Sequence, residues 1–400
     1  MKQYSRRKFL SYITASLATP YLLTACRGEG GSGKTDGFVD IQQFNHLLKS
    51  NSSDVFSLSI ASGDPTTRGV VLWTRIDPDA YRPQQALYFQ VSDEQSFRSE
   101  SIVAQGEVSA EEISRLNDYT VHIDLDGLLA PDQRYFYRFI YTDTLSRVGR
   151  CKTVPADDVM LAKLKLAVLN CQDYSNGYYA ALANLAKDDS VDFVVHLGDY
   201  IYESVAKSFV EGRRITLPSS SDFALGLDDY RHLYQRVRSD SFMQQAMENH
   251  TWIITTDDHE TADDCYWDYE RDTLGAPEHP FTLDAEYGNT PSNLTRLKLD
   301  AQQAWAEYMP ARVRFDHTAT HPHHALSIYR KIKFGALADL FMTDTRTYRT
   351  AHACGEVEQF ERYLAHCDLQ QSQQSLYGDK QRDWVFNGVT QSRAQWKVGR

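Results

Sequence analysis

The sequence predicts a mixed α/β protein, with a β-sandwich in its N-terminal part and a layered α/β region after it. Three observations carry that prediction. Between Val55 and Pro155, apolar residues recur at every second position and are interrupted by glycine and proline turns. From Leu164 onward the pattern changes to short, wholly apolar runs separated by a segment of helical period. The carboxyl ends of those runs collect a thiol, acids, phenols, an imidazole and a guanidinium, and that is the edge at which open α/β sheets bind ligands.

Taken in order, residues 1–25 read as an address rather than as structure. Ser5-Arg6-Arg7-Lys8-Phe9-Leu10 sets paired arginines before an apolar stretch, Phe9 to Ala25, that is too short and too mixed for a permanent span. The segment resembles a twin-arginine export signal, which implies the twin-arginine machinery as a partner. Leu23-Thr24-Ala25-Cys26 resembles a lipobox, so Cys26 is expected to carry a lipid anchor at a periplasmic or cell-surface membrane. The alternative is an ordinary Cys26, cleaved off or left free. Residues 26–54 form a linker, with the tether RGEGGSGKTDG at 27–37.

Residues 55–155 are expected to form the sandwich. Phe56, Leu58 and Ile60 alternate, Gly63-Asp64-Pro65 is expected to turn, and Gly69 to Trp73 to return as a strand. Val121, Ile123 and Leu125 alternate again and lead into GLLAPDQRYFYRF. Its proline turn and Tyr135/Tyr137 strand point to an immunoglobulin- or fibronectin-like sandwich with a packing role. Residues 160–400 form the second domain. Strands are expected at 164–169, 191–197, 251–255 and 336–342, with a helix at 178–187. The polar, aromatic-rich stretches 206–240 and 268–300 read as insertions that shape a site mouth.

The formal charge of −12 gives a nucleic-acid-binding surface no support, and none is expected. Removing residues 1–25 takes away four cations and no acids. An exported chain permits disulfides, and Cys354 and Cys367, which bracket a polar segment, are the expected pair.

The chemistry collects at strand ends. The run 164–169 leads into Asn170-Cys171-Gln172-Asp173, and 191–197 into Gly198-Asp199-Tyr200-Ile201-Tyr202-Glu203. The run 251–255 opens the stretch TTDDHETADD, with Asp257, Asp258, His259 and Glu260, and 336–342 leads into Asp344-Thr345-Arg346. Carboxylates with a phenolate favour hard cations, and an added thiolate suggests iron rather than magnesium. Asp199, after a glycine, is placed to bridge two metals, which together generate a hydroxide and clamp a phosphoryl transfer. His259 is placed to stabilise phosphoryl oxygens or to protonate a leaving alkoxide.

Each residue also has a plainer reading. TTDDHETADD is otherwise a solvated acidic turn, Cys171 a buried filler and Tyr202 an aromatic wall. Glu260 reads as a support that orients His259. Asp344 and Arg346 form either a structural ion pair or a substrate contact. The run His321-Pro322-His323-His324 reads as a solvated face.

The order SGDPTTRGVVLWTRIDP, NCQD, HLGDYIYE, DDHE and DTRTYR, spread over about 55–400, resembles the PhoD-like alkaline phosphatases of the calcineurin-like metallophosphoesterase superfamily. The resemblance implies a metallophosphoesterase-type αββα domain and hydrolysis of phosphomonoesters and phosphodiesters at the cell surface, with iron (Fe3+) and calcium as cofactors. It implies Cys171 and Tyr202 as iron ligands, Asp199 as the bridge, Asp258 as the next metal ligand and His259 facing the phosphate. Two departures stand out. Ala262-Asp263-Asp264 stands where the family usually has a paired Asn. The chain also stops at Arg400, before the GDxH-type motif that supplies further ligands in the family, so the C-terminal part of the domain is expected to be missing. Two other readings follow: a phospholipase D-like phosphodiesterase on the same scaffold, or a truncated, non-catalytic surface lipoprotein.

Overall fold

The computed structural model describes residues 53–268, 273–276, 279–283, 290–350 and 375–400. The export signal, Cys26, Cys354 and Cys367 lie outside the described residues.

The first part forms β1 (Ile60–Thr66), β2 (Gly69–Arg75), β3 (Leu87–Ser92), β4 (Ile102–Val108), β5 (Thr120–Asp124), β6 (Arg134–Tyr141), β7 (Thr144–Leu145) and β8 (Gly149–Lys152). The period of two works as physical chemistry requires. Val70, Leu72, Val121 and Ile123 share one apolar core with Leu87, Phe89 and Val91 of β3 and with Tyr137 and Phe139 of β6. Trp73 points the other way, into a second core. Two sheets therefore enclose the first core. One has the order β4-β3-β6-β7, with β8 also paired to β6.

The other sheet continues beyond the first part. The second part adds β9 (Leu166–Leu169), α1 (Ala180–Leu185), β10 (Phe193–His196), α2 (Leu227–Arg238), α3 (Ser241–Asn249) and β11 (Thr251–Ile254). The resulting six-stranded sheet has the order β5-β2-β1-β11-β10-β9. Its seam is the parallel pairing of β1 with β11, where Ser62 faces Thr251 and Gly63 faces Trp252. Gly63 makes the seam possible: a Cβ there would lie 2.2 Å from the Pro310 carbonyl oxygen and 2.7 Å from that of Trp252. This corrects the expected Gly63-Asp64-Pro65 turn. The three residues lie inside β1, whose register with β2 shifts between Gly63 and Thr66, while Phe56 and Leu58 precede the strand. Buried Asp64 holds that irregular stretch by accepting from Arg330 and from the Arg312 amide.

Further along come β12 (Tyr266–Asp268), β13 (Thr273–Gly275), α4 (Pro280–Leu283), α5 (Pro291–Tyr308), α6 (Pro322–Ala325), β14 (Arg330–Phe334), β15 (Ala338–Met342), α7 (Gly378–Gln391) and β16 (Trp396–Gly399). Strands β14, β15 and β16 make a separate three-stranded sheet. The apolar run of β11 divides between two faces: Trp252 and Ile254 pack toward the helices, and Ile253 toward Ile332, Phe334 and Leu340 of the second sheet. Helix α7 covers the far side of that sheet, with the Trp384 ring 5.8 Å from Phe341. The layers thus run helix, sheet, sheet, helix.

Two expectations change. Among the described residues nothing pairs beyond β9, which is therefore an edge there, with Val168 59% exposed. The stretches 206–240 and 268–300 are not all site mouth. Tyr230, Leu233, Tyr234 and Val237 recur at helical spacing, so α2 buries one face in the core, and α5 does the same with Leu297, Ala301 and Trp305. Among the described residues, no helix is long and apolar enough to cross a membrane.

Candidate metal centre

Strands β9, β10 and β11 are parallel and in register, with Val195 opposite both Val168 and Ile253. Their carboxyl ends therefore open on one edge. Beyond Leu169 the chain passes through Cys171 at φ 54°, and beyond His196 through Gly198 at φ 115° and Asp199 at φ 57°. A left-handed backbone at non-glycine residues stores strain, and two such residues side by side must be held by their surroundings. The Cys171 amide donates to the Gly198 carbonyl at 3.3 Å, and the Gln172 amide to that of Asp199 at 3.0 Å. Gly198 also allows close approach, since a Cβ there would sit 2.3 Å from the Asp257 amide nitrogen.

The third strand end, TTDDHETADD, folds into a turn in which the Asp258 carbonyl accepts from the amides of Thr261 and Ala262. Its crowded acids are not left to repel one another. Arg346 donates from Nε to Asp257 Oδ1 at 2.7 Å, and its Nη2 lies 3.3 Å from Asp258 Oδ1. Asp258 Oδ2 accepts from the Asp264 amide at 2.7 Å. Buried Glu260 spends both oxygens on backbone, accepting from Asp199 at 3.1 Å, Tyr200 at 2.7 Å and Asp257 at 2.7 Å. Glu260 therefore ties two strand ends together and does not orient His259. Burial, with the nearby Asp199 charge, lifts its carboxyl to about 7.

The residue that orients His259 is Glu203, which the strand-end reading named without giving it a role. Its Oε2 accepts from His259 Nδ1 at 2.8 Å, and its Oε1 accepts from the Asp263 amide at 2.9 Å. Glu203 is almost fully buried. Burial works against a charged His259, but the hydrogen bond and charge of Glu203 outweigh it and raise the imidazole to about 9. The Tyr202 ring lies over that imidazole, with centroids 4.0 Å apart. The missed signal was a carboxylate at the end of GDYIYE, one residue past a candidate ligand.

Asp199, Asp258 and His259 bring ligand atoms within 4.8 Å of one another, and Asp258, Asp263 and Asp264 form a second such group. Asp199 Oδ2 accepts from the exposed Cys171 thiol at 3.2 Å, while its buried Oδ1 has no hydrogen-bond partner. Burial and the nearby acids push the Asp199 carboxyl up. Burial and Asp199 also push the Cys171 thiol up to about 11, and burial with Asp199 raises the Tyr202 phenol. A buried carboxylate oxygen with no donor, among further oxygen, nitrogen and sulfur ligands, fits a cation: it would satisfy that oxygen and favour the ionised forms of all three groups.

Two remaining expectations are corrected. Asp344 and Arg346 do not pair with each other. Asp344 Oδ1 instead accepts the amides of Arg346 and Thr347, turning the loop so that the guanidinium reaches the acids that follow β11. The histidine run is a solvated face only in part, since His321 and His323 are half-buried and His324 is exposed. The His321 ring lies 4.9 Å from that of Trp267, and His323 donates to the Thr347 carbonyl at 2.7 Å, leaving His324 exposed. Trp267 and the Thr347 loop cover these rings, contacts that the polar local sequence does not announce.

The family description PhoD-like phosphatase matches residues 166–399, and PhoD-like phosphatase, N-terminal domain, matches residues 43–155. Alkaline phosphatase D of Bacillus subtilis (strain 168) is 32% identical over 354 residues, which are 87% of this chain and 55% of that protein. A solved structure of PhoD superposes with a TM-score of 0.71 at 31% identity, over 88% of this chain and 63% of that one. The chain thus spans little more than half the length of that curated relative.

Proposed function

The chain belongs to the PhoD-like phosphatase family, and from that premise and the strand-end cluster we propose that it is a metal-dependent hydrolase of phosphomonoesters and phosphodiesters. The carrying observation is Asp199, a buried carboxylate with one oxygen on the Cys171 thiol and the other without a partner, within ligand distance of Asp258 and His259. In this reading Cys171, Tyr202 and Asp199 would hold iron (Fe3+), and Asp199 with Asp258 would hold calcium. The thiol and phenol suit the first and an all-oxygen set suits the second. Cations held there would activate a water and offset negative charge at phosphorus.

The chain's own groups do the rest. Glu203 accepts from His259 Nδ1, so Nε2 is the nitrogen left to meet a phosphoryl oxygen or the leaving alkoxide. The Glu203 carboxylate favours a protonated His259, so the ring is suited to hold a proton for the departing oxygen. Arg346, fixed over Asp257 and Asp258, offers its remaining donors to the phosphate. The paired arginines and Cys26 support export by the twin-arginine route and lipid anchoring at the outer face of a membrane.

The test is hydrolysis of p-nitrophenyl phosphate and its bis-ester at alkaline pH by protein exported through the twin-arginine route, with metal analysis of the same sample. Activity that a chelator abolishes is expected, with iron present and selectively lost in Cys171→Ala. Protein that holds neither iron nor a divalent cation overturns the reading. Cys26→Ser should move the protein from the membrane to the soluble fraction.

A further inference from the structure

Helix α7 has a single buried residue, and that residue is polar: Gln381, 1% exposed. Helices normally seat themselves with apolar side chains, so a buried amide must return its hydrogen bonds to something. Gln381 returns them to one residue of the Arg346 loop. Its Oε1 accepts from the Asp344 amide at 2.7 Å, and its Nε2 donates to the Asp344 carbonyl at 2.8 Å, as a neighbouring strand would. Nε2 also lies 3.3 Å from the Tyr377 carbonyl, so both of its N–H groups have partners.

Downstream of that grip, buried Asp344 accepts the amides of Arg346 and Thr347, and His323 holds the Thr347 carbonyl from the other side. The stretch that follows β15 is thus held at the backbone of residues 344, 346 and 347, and it carries the Arg346 guanidinium onto Asp257 and Asp258. The rest of α7 is seated independently, through Trp384 against Phe341 and Gly388 against the same ring.

We propose that Gln381 is a positioning residue that sets where the Arg346 guanidinium meets the substrate phosphate. The proposal rests on the reading of Arg346 given above. An amide suits the task because it pairs with an N–H and a C=O at once. A carboxylate in its place would face the Asp344 carbonyl, and a thioether could do neither.

The experiment uses the metal-loaded chain and measures both the Kd for inorganic phosphate, by calorimetry, and KM and kcat with p-nitrophenyl phosphate. Gln381→Met keeps the volume and removes both hydrogen bonds, while Gln381→Asn keeps the amide on a shorter stem. Gln381→Met is expected to raise Kd and KM about tenfold with kcat changed less. Gln381→Asn should fall between it and the wild type, and Arg346→Ala/Gln381→Met should match Arg346→Ala alone. Normal phosphate binding in Gln381→Met, beside impaired binding in Arg346→Ala, overturns the positioning role and leaves Arg346 standing; so does an additive double variant. Unaltered phosphate binding in Arg346→Ala overturns both. Should neither Gln381 variant fold, His323→Gln, which leaves α7 untouched, is expected to weaken phosphate binding in the same way, and unaltered binding there counts against the proposal.

Discussion

Glu203 separates what a single residue does from what its position in the sequence suggests. It is buried, it accepts from His259 Nδ1 and it also holds the Asp263 amide, so one carboxylate sets both the tautomer of the imidazole and the path of the acidic turn. Glu203→Gln keeps an oxygen for one of these bonds but removes the charge that favours a protonated His259. Its kcat on p-nitrophenyl phosphate should fall roughly 10- to 100-fold, the usual cost of losing such an outer partner, with KM changed only a few-fold. A variant with unchanged kcat would show that His259 takes no proton-bearing part. Asp199, Asp258, His259 and Cys171 were legible in the sequence because each follows an apolar run, and strand ends are where side chains converge. Glu203 and Glu260 were not, because either carboxylate can serve either partner until the backbone is fixed. That backbone turns left-handed at Cys171 and Asp199; aspartate tolerates such a turn, but cysteine does not announce one.

At the scale of elements, periodicity identified seven of the sixteen strands of the described residues (β2, β5, β6, β9, β10, β11 and β15) but not their partners. The β1–β11 pairing joins Ser62 to Thr251, 189 residues away, and no local pattern encodes so distant a neighbour. What the sequence does carry is Gly63, read as a turn residue because glycine beside proline usually is one. Its actual use is close approach, with two carbonyl oxygens where a Cβ would stand. Gly63→Ala should therefore part the seam rather than stiffen a turn. A loss of about 1–3 kcal/mol is expected, the range for overpacking a filled site, read as a lower urea midpoint. Unchanged stability would mean that β1 does not sit against β11 and Pro310. The helical parts of 206–240 and 268–300 were hidden for a different reason. Tyrosines and charged residues fill these segments, and the apolar stripe of α2 emerges only when Tyr230 and Tyr234 are counted with Leu233 and Val237.

For the molecule as a whole, the six-stranded sheet makes the sandwich and the metal centre parts of one folding unit, so changes at the sheet's core are felt throughout. His196 lies in that core, fully buried, with its ring 5.4 Å from Tyr200 and 6.3 Å from Trp252. Its Nδ1 accepts the Gly198 amide at 3.3 Å, so the neutral ring is the one the fold uses. Burial, with a smaller contribution from Arg400, lowers it from 6.5 to about 3. In the unfolded chain the same ring takes up a proton below about 6.5. The unfolded state then binds more protons than the folded one between 6.5 and about 3, so this contribution to stability is intact above 6.5 and lost as the pH falls through that window. The loss approaches ~1.4 kcal/mol per pH unit, or on the order of 2 kcal/mol between pH 7 and pH 5. Glu260 acts in the opposite sense. Raised to about 7, it takes up its proton in the folded state first and adds stability as the pH falls from 7 toward 4.5, so the wild-type curve alone conceals both effects. The informative measurement is the difference between wild type and His196→Asn, which keeps an acceptor for the Gly198 amide and cannot titrate. The variant should be less stable than wild type at pH 7.5, and the gap in urea midpoints should narrow steadily toward pH 4.5. A gap that stays constant with pH would show that His196 is not held neutral by the fold.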